Sequence, residues 1–235
     1  MPTTIAQIEA VVRKRLIEES PSYWSSEELT DIIILGIKDL WRSIVDLKAE
    51  HYLVVDTVNV SVAANQDVLQ GIPNDVHKVY LIEPIFSTTE QTRNQIAFTP
   101  KEFNHPDFQS ARQRAPVSEP VGEVLYSVTG LGAPVGAPII RIAPRINANI
   151  PLAFSYVPSL ESLVNGSYIP VPGEADNALV SWTIAFARAK ESDDHAPDTS
   201  WLAIYATEKQ QLLQSLGVRQ LQEPTVTDGL FDVLW

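Results

Sequence analysis

The chain has 235 residues, of which 45% are apolar and 20% charged, with no cysteine and a formal net charge of −12. This composition can fill a sizeable core, and the lack of cysteine excludes disulfides, thiolate metal sites and cysteine nucleophiles. No apolar run approaches the roughly 20 residues that a membrane-spanning helix needs. The N-terminus lacks the charged-then-apolar order of a signal peptide, so the expectation is a soluble protein made in the cytoplasm. The 17 basic residues stand against 29 acidic ones, and the sequence shows no clustered basic stretch of the kind that grips DNA phosphates. The densest is Arg13-Lys14-Arg15. The acidity fits plain solubility, and it also fits a surface that DNA passes without sticking; charge alone does not choose.

Taken in chain order, the first predicted element is a helix capped by Thr3 or Thr4, with Ile5, Ile8, Val11, Val12 and Leu16 along one face. Ser20-Pro21-Ser22 stops it. Ser25 and Glu28 fit a capping box for a second helix, with Trp24 just before the cap and facing Leu29. Leu29, Ile32, Ile33, Ile37, Leu40, Trp41 and Ile44 carry its stripe, while Ile32-Ile33-Ile34-Leu35 is apolar on more than one side. The period then changes to two: Tyr52 to Val62 reads as a long strand, Asp67-Val68-Leu69 as a short return and His77 to Ile82 as another. Between Pro84 and Pro116 the pattern is weak, with a short helix expected at Thr99-Pro100-Lys101-Glu102. Strands are expected at Val124 to Val128, Ile139 to Ala143 and Leu152 to Tyr156. Helix returns near Glu174 through Lys190, and a last helix runs from Thr199 to Leu216, capped by Gly217.

The predicted class is α+β. Helix hairpins from the two ends (residues 1–50 and 173–217) pack as a four-helix bundle. An antiparallel β-rich domain, a small sandwich or open barrel, is inserted at 51–172, and an extended tail follows at 218–235.

Groups that resemble chemistry have simpler readings. Asp193, Asp194, His195 and Asp198 crowd one connection, but solvated turn residues and a helix cap account for them. His51, His77 and His105 have no metal-ligand spacing. Gly130 to Gly136 lacks the order of a phosphate loop and precedes a strand, which makes it a hairpin connection. No nucleophile or carboxylate pair stands out, so no catalytic residue, metal or cofactor is assigned. The least ordinary feature is the end of the chain: Leu230, Phe231, Val233, Leu234 and Trp235. Left in water, these side chains cost on the order of 1.5–3 kcal/mol each. Either the tail folds back on its own domain or it is a segment that docks on a partner.

The order of features resembles that of bacteriophage head-to-tail adaptor proteins. Tyr23-Trp24-Ser25-Ser26-Glu27-Glu28-Leu29 and a long helix through Asp39-Leu40-Trp41-Arg42 are similar to the family's opening. Gly71-Ile72-Pro73-Asn74-Asp75 through Val79, and Pro172 ahead of an alanine- and aromatic-rich helix pair, are similar to its later features. Residues 86–122 match no part of it. The resemblance implies a virion protein of the neck that forms a ring of twelve copies under the portal. Such a ring extends the channel through which double-stranded DNA passes without sequence-specific binding, and it docks tail or nozzle proteins. It also implies roles: Leu29, Ile33, Ile37 and Trp41 in core and subunit contacts, and the tail residues on the portal. The alternatives are another tail component (gatekeeper, tail-completion or baseplate protein), or a carbohydrate-binding β module. The latter predicts a solvent-facing platform from Tyr126, Phe154, Tyr156 or Tyr168.

Overall fold

The computed structural model describes residues 3–18, 23–85, 96–117, 122–131, 136–163, 169–192 and 195–218. The first elements are helices α1 (Ile5–Arg15) and α2 (Ser26–Leu47). Strands β1 (Val54–Asp56), β2 (Ser61–Val62), β3 (Leu69–Gln70), β4 (Val76–Pro84) and β5 (Ile96–Pro100) follow, then helix α3 (Pro106–Arg112). After β6 (Gly122–Leu131), β7 (Pro138–Ala143) and β8 (Ile150–Pro158) come α4 (Leu160–Leu163), α5 (Asp176–Arg188) and α6 (Thr199–Val218). The chain divides into two compact units, Met1–Lys48 with Val164–Trp235, and Ala49–Leu163.

In the first unit, local hydrogen bonding sets the helix starts. The Thr4 hydroxyl accepts from the Gln7 N–H while the Gln7 side chain accepts from the Thr4 N–H. Ser25 and Glu28 repeat this reciprocal arrangement at α2. Each pair satisfies amide donors that a helix start otherwise leaves open. The helix α6 runs on to Val218, so Gly217 lies inside it and does not cap it.

The four helices at the chain ends do not form the expected four-helix bundle. A bundle has each helix bury one stripe toward a common axis. Here α5 is buried on nearly every side, through Ala178, Leu179, Val180, Ser181, Thr183, Ile184, Ala185 and Ala187. The helices α1, α2 and α6 all pack on it. Two more helices, α3 and α4, are scattered among the strands. The fold is mixed α+β with helix distributed along the chain.

At the contact between α2 and α5, Gly36 leaves room for Trp182. A Cβ on Gly36 would stand 2.7 Å from the indole Cδ1. The same indole donates from Nε1 to the Ile32 carbonyl at 3.1 Å, and its ring packs on Phe186 and Tyr205 with centroids 4.3 and 5.0 Å away.

In the second unit β8 is the organising strand. It pairs with β1 and β2 along one edge and with β4 along the other, and β3 extends the sheet beyond β2. A second sheet has the order β5-β6-β7. A Val68–Arg141 bridge and an Ile142 N–H donated to the Asp67 carbonyl tie the two sheets together. They enclose one core that includes Val60, Ile82, Phe98, Val124, Ile140 and Phe154.

Two details of the β region depart from the predicted pattern. Tyr52 to Val62 is not one strand: the Asp56 carboxylate accepts from the N–H groups of Val58 and Asn59 and from the Asn59 side chain. That turn takes the donors a continuous ladder would use, so β1 ends at Asp56 and β2 begins at Ser61. The unit is also not wholly antiparallel. The strands β5 and β6 run parallel, and parallel neighbours require a crossover, which α3 occupies. The proline that opens this helix is Pro106, capped by His105, whereas Thr99 and Pro100 end β5.

The end of α1 holds backbone strain. Glu18 N–H donates to the Arg13 carbonyl (3.0 Å) and Ile17 N–H to that of Lys14 (3.3 Å), a closure that puts one residue in the left-handed region. That residue is Ile17, at φ +60°, and its side chain is 92% exposed. A branched side chain is costly there and glycine is not. Ile17→Gly should therefore raise the urea midpoint by an amount worth about 1 kcal/mol, with the slope unchanged. Gly36→Ala should do the opposite. It gains helix propensity, yet the clash with Trp182 should lower stability by roughly 1–3 kcal/mol, and a raised midpoint would show that the close approach is wrong.

Candidate functional site

The residues singled out on α2 fall inside the subunit. Leu29, Ile33 and Ile37 are completely buried and Trp41 nearly so, each worth on the order of 1.5–3 kcal/mol of apolar burial. Their faces are already occupied by the chain's own helices. On the opposite side of α2, Leu35 is 55% exposed, with Ile34 half-buried, while Ile32 is half-buried beside Phe186 and Ala187 of α5. The tail residues Leu230, Phe231, Val233, Leu234 and Trp235 lie outside the described residues.

Polar contacts lock the first unit together. Arg13 is buried and saturated: it donates to Glu9, to Glu18, to the Trp24 carbonyl and to the Ser26 hydroxyl. Of the densest basic stretch in the sequence, one member is thus a structural cross-link between α1 and the start of α2. Trp24 donates from Nε1 to the Ala187 carbonyl at 3.0 Å, and Tyr23 donates its hydroxyl hydrogen to the Lys190 carbonyl. Lys190 in turn reaches Glu28 at 2.9 Å, a cation past the C-terminal end of α5 meeting an anion in the first turn of α2, where the helix dipoles favour each. Asp39 receives hydrogen bonds from Tyr205 and Lys209. Burial opposes its charge, but those two bonds, with the Lys209 and Arg42 charges, hold its carboxyl below the ordinary aspartate value. Burial and the same carboxylate push the Tyr205 phenol up.

The groups that crowd the α5–α6 connection act structurally. Asp198 accepts from the N–H groups of Ser200 and Trp201 as the cap of α6 and pairs with Arg188 at 3.2 Å; Asp193 and Asp194 lie outside the described residues. His105 caps α3 through Nδ1, His51 packs edge-on against Tyr52, and His77 sits exposed in β4. Among the described residues no group of three or more His, Asp or Glu is placed to hold a metal, and no helix is long and apolar enough to cross a membrane. Tyr126, Phe154 and Tyr156 belong to the β core, so they offer no platform to a sugar; Tyr168 lies outside the described residues. Burial raises the Tyr156 phenol to about 12, with the nearby Asp75 carboxylate adding to it.

The surface feature that sequence reading missed is β1. It pairs with β8 on one edge, and among the described residues no strand pairs with the other. Val55, 52% exposed, lies in register with Ser155 and then Leu81 across three strands. Val58, in the turn that follows, is 86% exposed. Edge strands in water are ordinarily kept short or guarded by charge, proline or a bulge; β1 is three residues long and ends on Asp56, but two of its three side chains are exposed valines. Val54 and Val55, with Val58 in the turn beyond, thus form a short apolar edge.

Comparison of the chain with protein-family models and with characterised proteins found no match.

The Asp39 arrangement has a defined pH dependence. Because its folded value lies below the unfolded one, its contribution is present above the ordinary aspartate range near 3.9 and is lost as pH falls through the lowered folded value. Asp39→Asn should cost on the order of 1 kcal/mol at neutral pH, a modest amount because the group is partly solvated. The gap between wild type and variant should close as denaturation is repeated at progressively lower pH. A gap that stays constant into strong acid would mean that the ion pair is not the cause.

Proposed function

We propose that the chain is a head-to-tail adaptor of a bacteriophage neck, a structural virion protein that assembles as a ring of twelve copies under the portal, extends the DNA channel and receives the tail. The order of elements supports this reading: two capped helices, a β-rich middle and a closing helix pair, as in the family the sequence resembles. The observation that carries it is the short apolar edge of β1, unpaired among the described residues, with Val55 in water and Val58 exposed in the turn beyond it, which fits a protein that completes itself by strand addition to another component. In this reading the β unit faces the next neck or tail protein through β1. The outer face of α2, with Leu35, meets the neighbouring copy, since Leu29, Ile33, Ile37 and Trp41 are used up in the core. The segment Val218 to Trp235 reaches the portal.

Co-purification with the portal of the same phage, followed by electron microscopy, tests the whole reading. The expected result is a ring on the outer end of the portal with matching symmetry. A folded protein that ignores the portal and binds tail components alone would instead identify a gatekeeper, tail-completion or baseplate protein. Removing the residues after Thr227 should abolish portal binding while the circular dichroism spectrum stays that of the intact chain; undiminished binding would refute the role of the tail.

A further inference from the structure

Sequence order hides a concentration of arginines in the β unit. Arg112 on α3, Arg141 on β7 and Arg145 just beyond β7 are brought together around Asp67. The Asp67 Oδ2 accepts from Arg141 Nη1 at 2.8 Å and lies 3.6 Å from Arg112 Nη2. One carboxylate oxygen thus serves two guanidiniums. Among the described residues no carboxylate pairs with Arg145, which is exposed. The three cations against one anion leave a local excess of two positive charges in a chain whose net charge is −12.

Arg112, Arg145 and Asp67 border a cleft of about 460 Å³ that Gln109, Gln113 and Ile142 complete, with Arg141 behind it on Asp67. Its walls are rich in donors: two guanidinium forks and two side-chain amides. The cleft is also held in shape. Arg112 lies over the Phe103 ring at 5.1 Å, Gln109 donates to the Phe103 carbonyl, and the Asp67 carbonyl accepts from Ile142 N–H at 2.9 Å. Planar guanidinium forks fixed on one side of a concave site match the oxygens of a phosphate group, and such charge-assisted bonds are among the stronger polar contacts available to a protein.

We propose that this cleft is a binding site for a single phosphate group, supplied either by free phosphate or by one backbone phosphodiester of double-stranded DNA. Arg112 and Arg145 grip the phosphate oxygens and Gln113 adds an amide donor. Asp67 holds Arg112 and Arg141 in place and competes with the incoming anion for their protons. The site stands independently of the adaptor reading, because it rests on the geometry of the β unit alone.

The test is a titration of the full-length, ¹⁵N-labelled protein with inorganic phosphate, and separately with a short DNA duplex, at constant ionic strength, read by NMR. Saturable shifts confined to Gln109, Arg112, Gln113 and Arg145 are expected. Arg145→Ala, a change at an exposed side chain, should weaken binding roughly tenfold. Asp67→Asn should tighten it by a few-fold, because it removes the competing charge; a purely structural role for Asp67 would move affinity the other way. Shifts with duplex whose midpoint moves about tenfold in Arg145→Ala assign the ligand to the DNA backbone, and shifts with inorganic phosphate alone assign it to the free anion. No localised shift with either probe, or shifts unchanged by Arg145→Ala, would overturn the proposal.

Discussion

The helical unit is built on the contact of α2 and α5 at Gly36, whose missing side chain leaves room for the Trp182 indole. Side chains on facing helices ordinarily interdigitate as ridges in grooves; at Gly36 the groove is filled by the indole of Trp182. The Nε1 bond to the Ile32 carbonyl fixes how that ring lies, and Phe186 and Tyr205 are packed against it in turn. Tyr205 then presents its hydroxyl to Asp39, which also takes Lys209. One missing Cβ on α2 is thereby coupled to the seating of α6. The burial of α5 follows from the same geometry. Its interior hydroxyls are satisfied, Ser181 by Glu208 and Thr183 by the Leu179 carbonyl, so both hydroxyls buried within a helix enclosed by three others are paired.

In the β unit the corresponding constraint is β8, which holds β1, β2 and β4 at once. It leaves β1 at the margin with valines in water. Such an edge favours association at short range, while a net charge of −12 repels like copies at longer range and is screened within roughly 8–10 Å at physiological salt. The balance suits a surface that joins a specific partner but does not seed indiscriminate pairing.

What the sequence revealed was what local chemistry decides. The starts of α1 and α2 were legible because Thr4 with Gln7 and Ser25 with Glu28 bond within one turn. The stripe from Leu29 to Ile44 was legible as buried because periodicity reports burial. It does not report by what: the same stripe suited a bundle with ring contacts, and the structure gives those faces to α5 and its neighbours instead. The split between β1 and β2 was hidden because Asp56 competes for backbone donors without disturbing the alternation of side chains. The helix α3 was placed at the wrong proline, since Pro100 and Pro106 both satisfy the preference for a helix start. The arginine cleft was invisible in principle, as Asp67, Arg112 and Arg141 meet only once the two sheets close.

The position of β8 along the chain also orders events during synthesis. The strands β1 to β4 leave the ribosome before Ile150–Pro158 exists, so for that interval they lack the partner that three of them share. Parallel pairing of β5 with β6 must likewise await the crossover through α3. The local pairings of β2 with β3 and then of β6 with β7 are the ones available before that, and the first sheet closes only when its latest strand emerges. Unpaired strands and apolar edges in an incomplete chain are prone to non-native association. The nascent β unit therefore spends the translation of about a hundred residues in an aggregation-exposed state, ended by the arrival of one nine-residue strand.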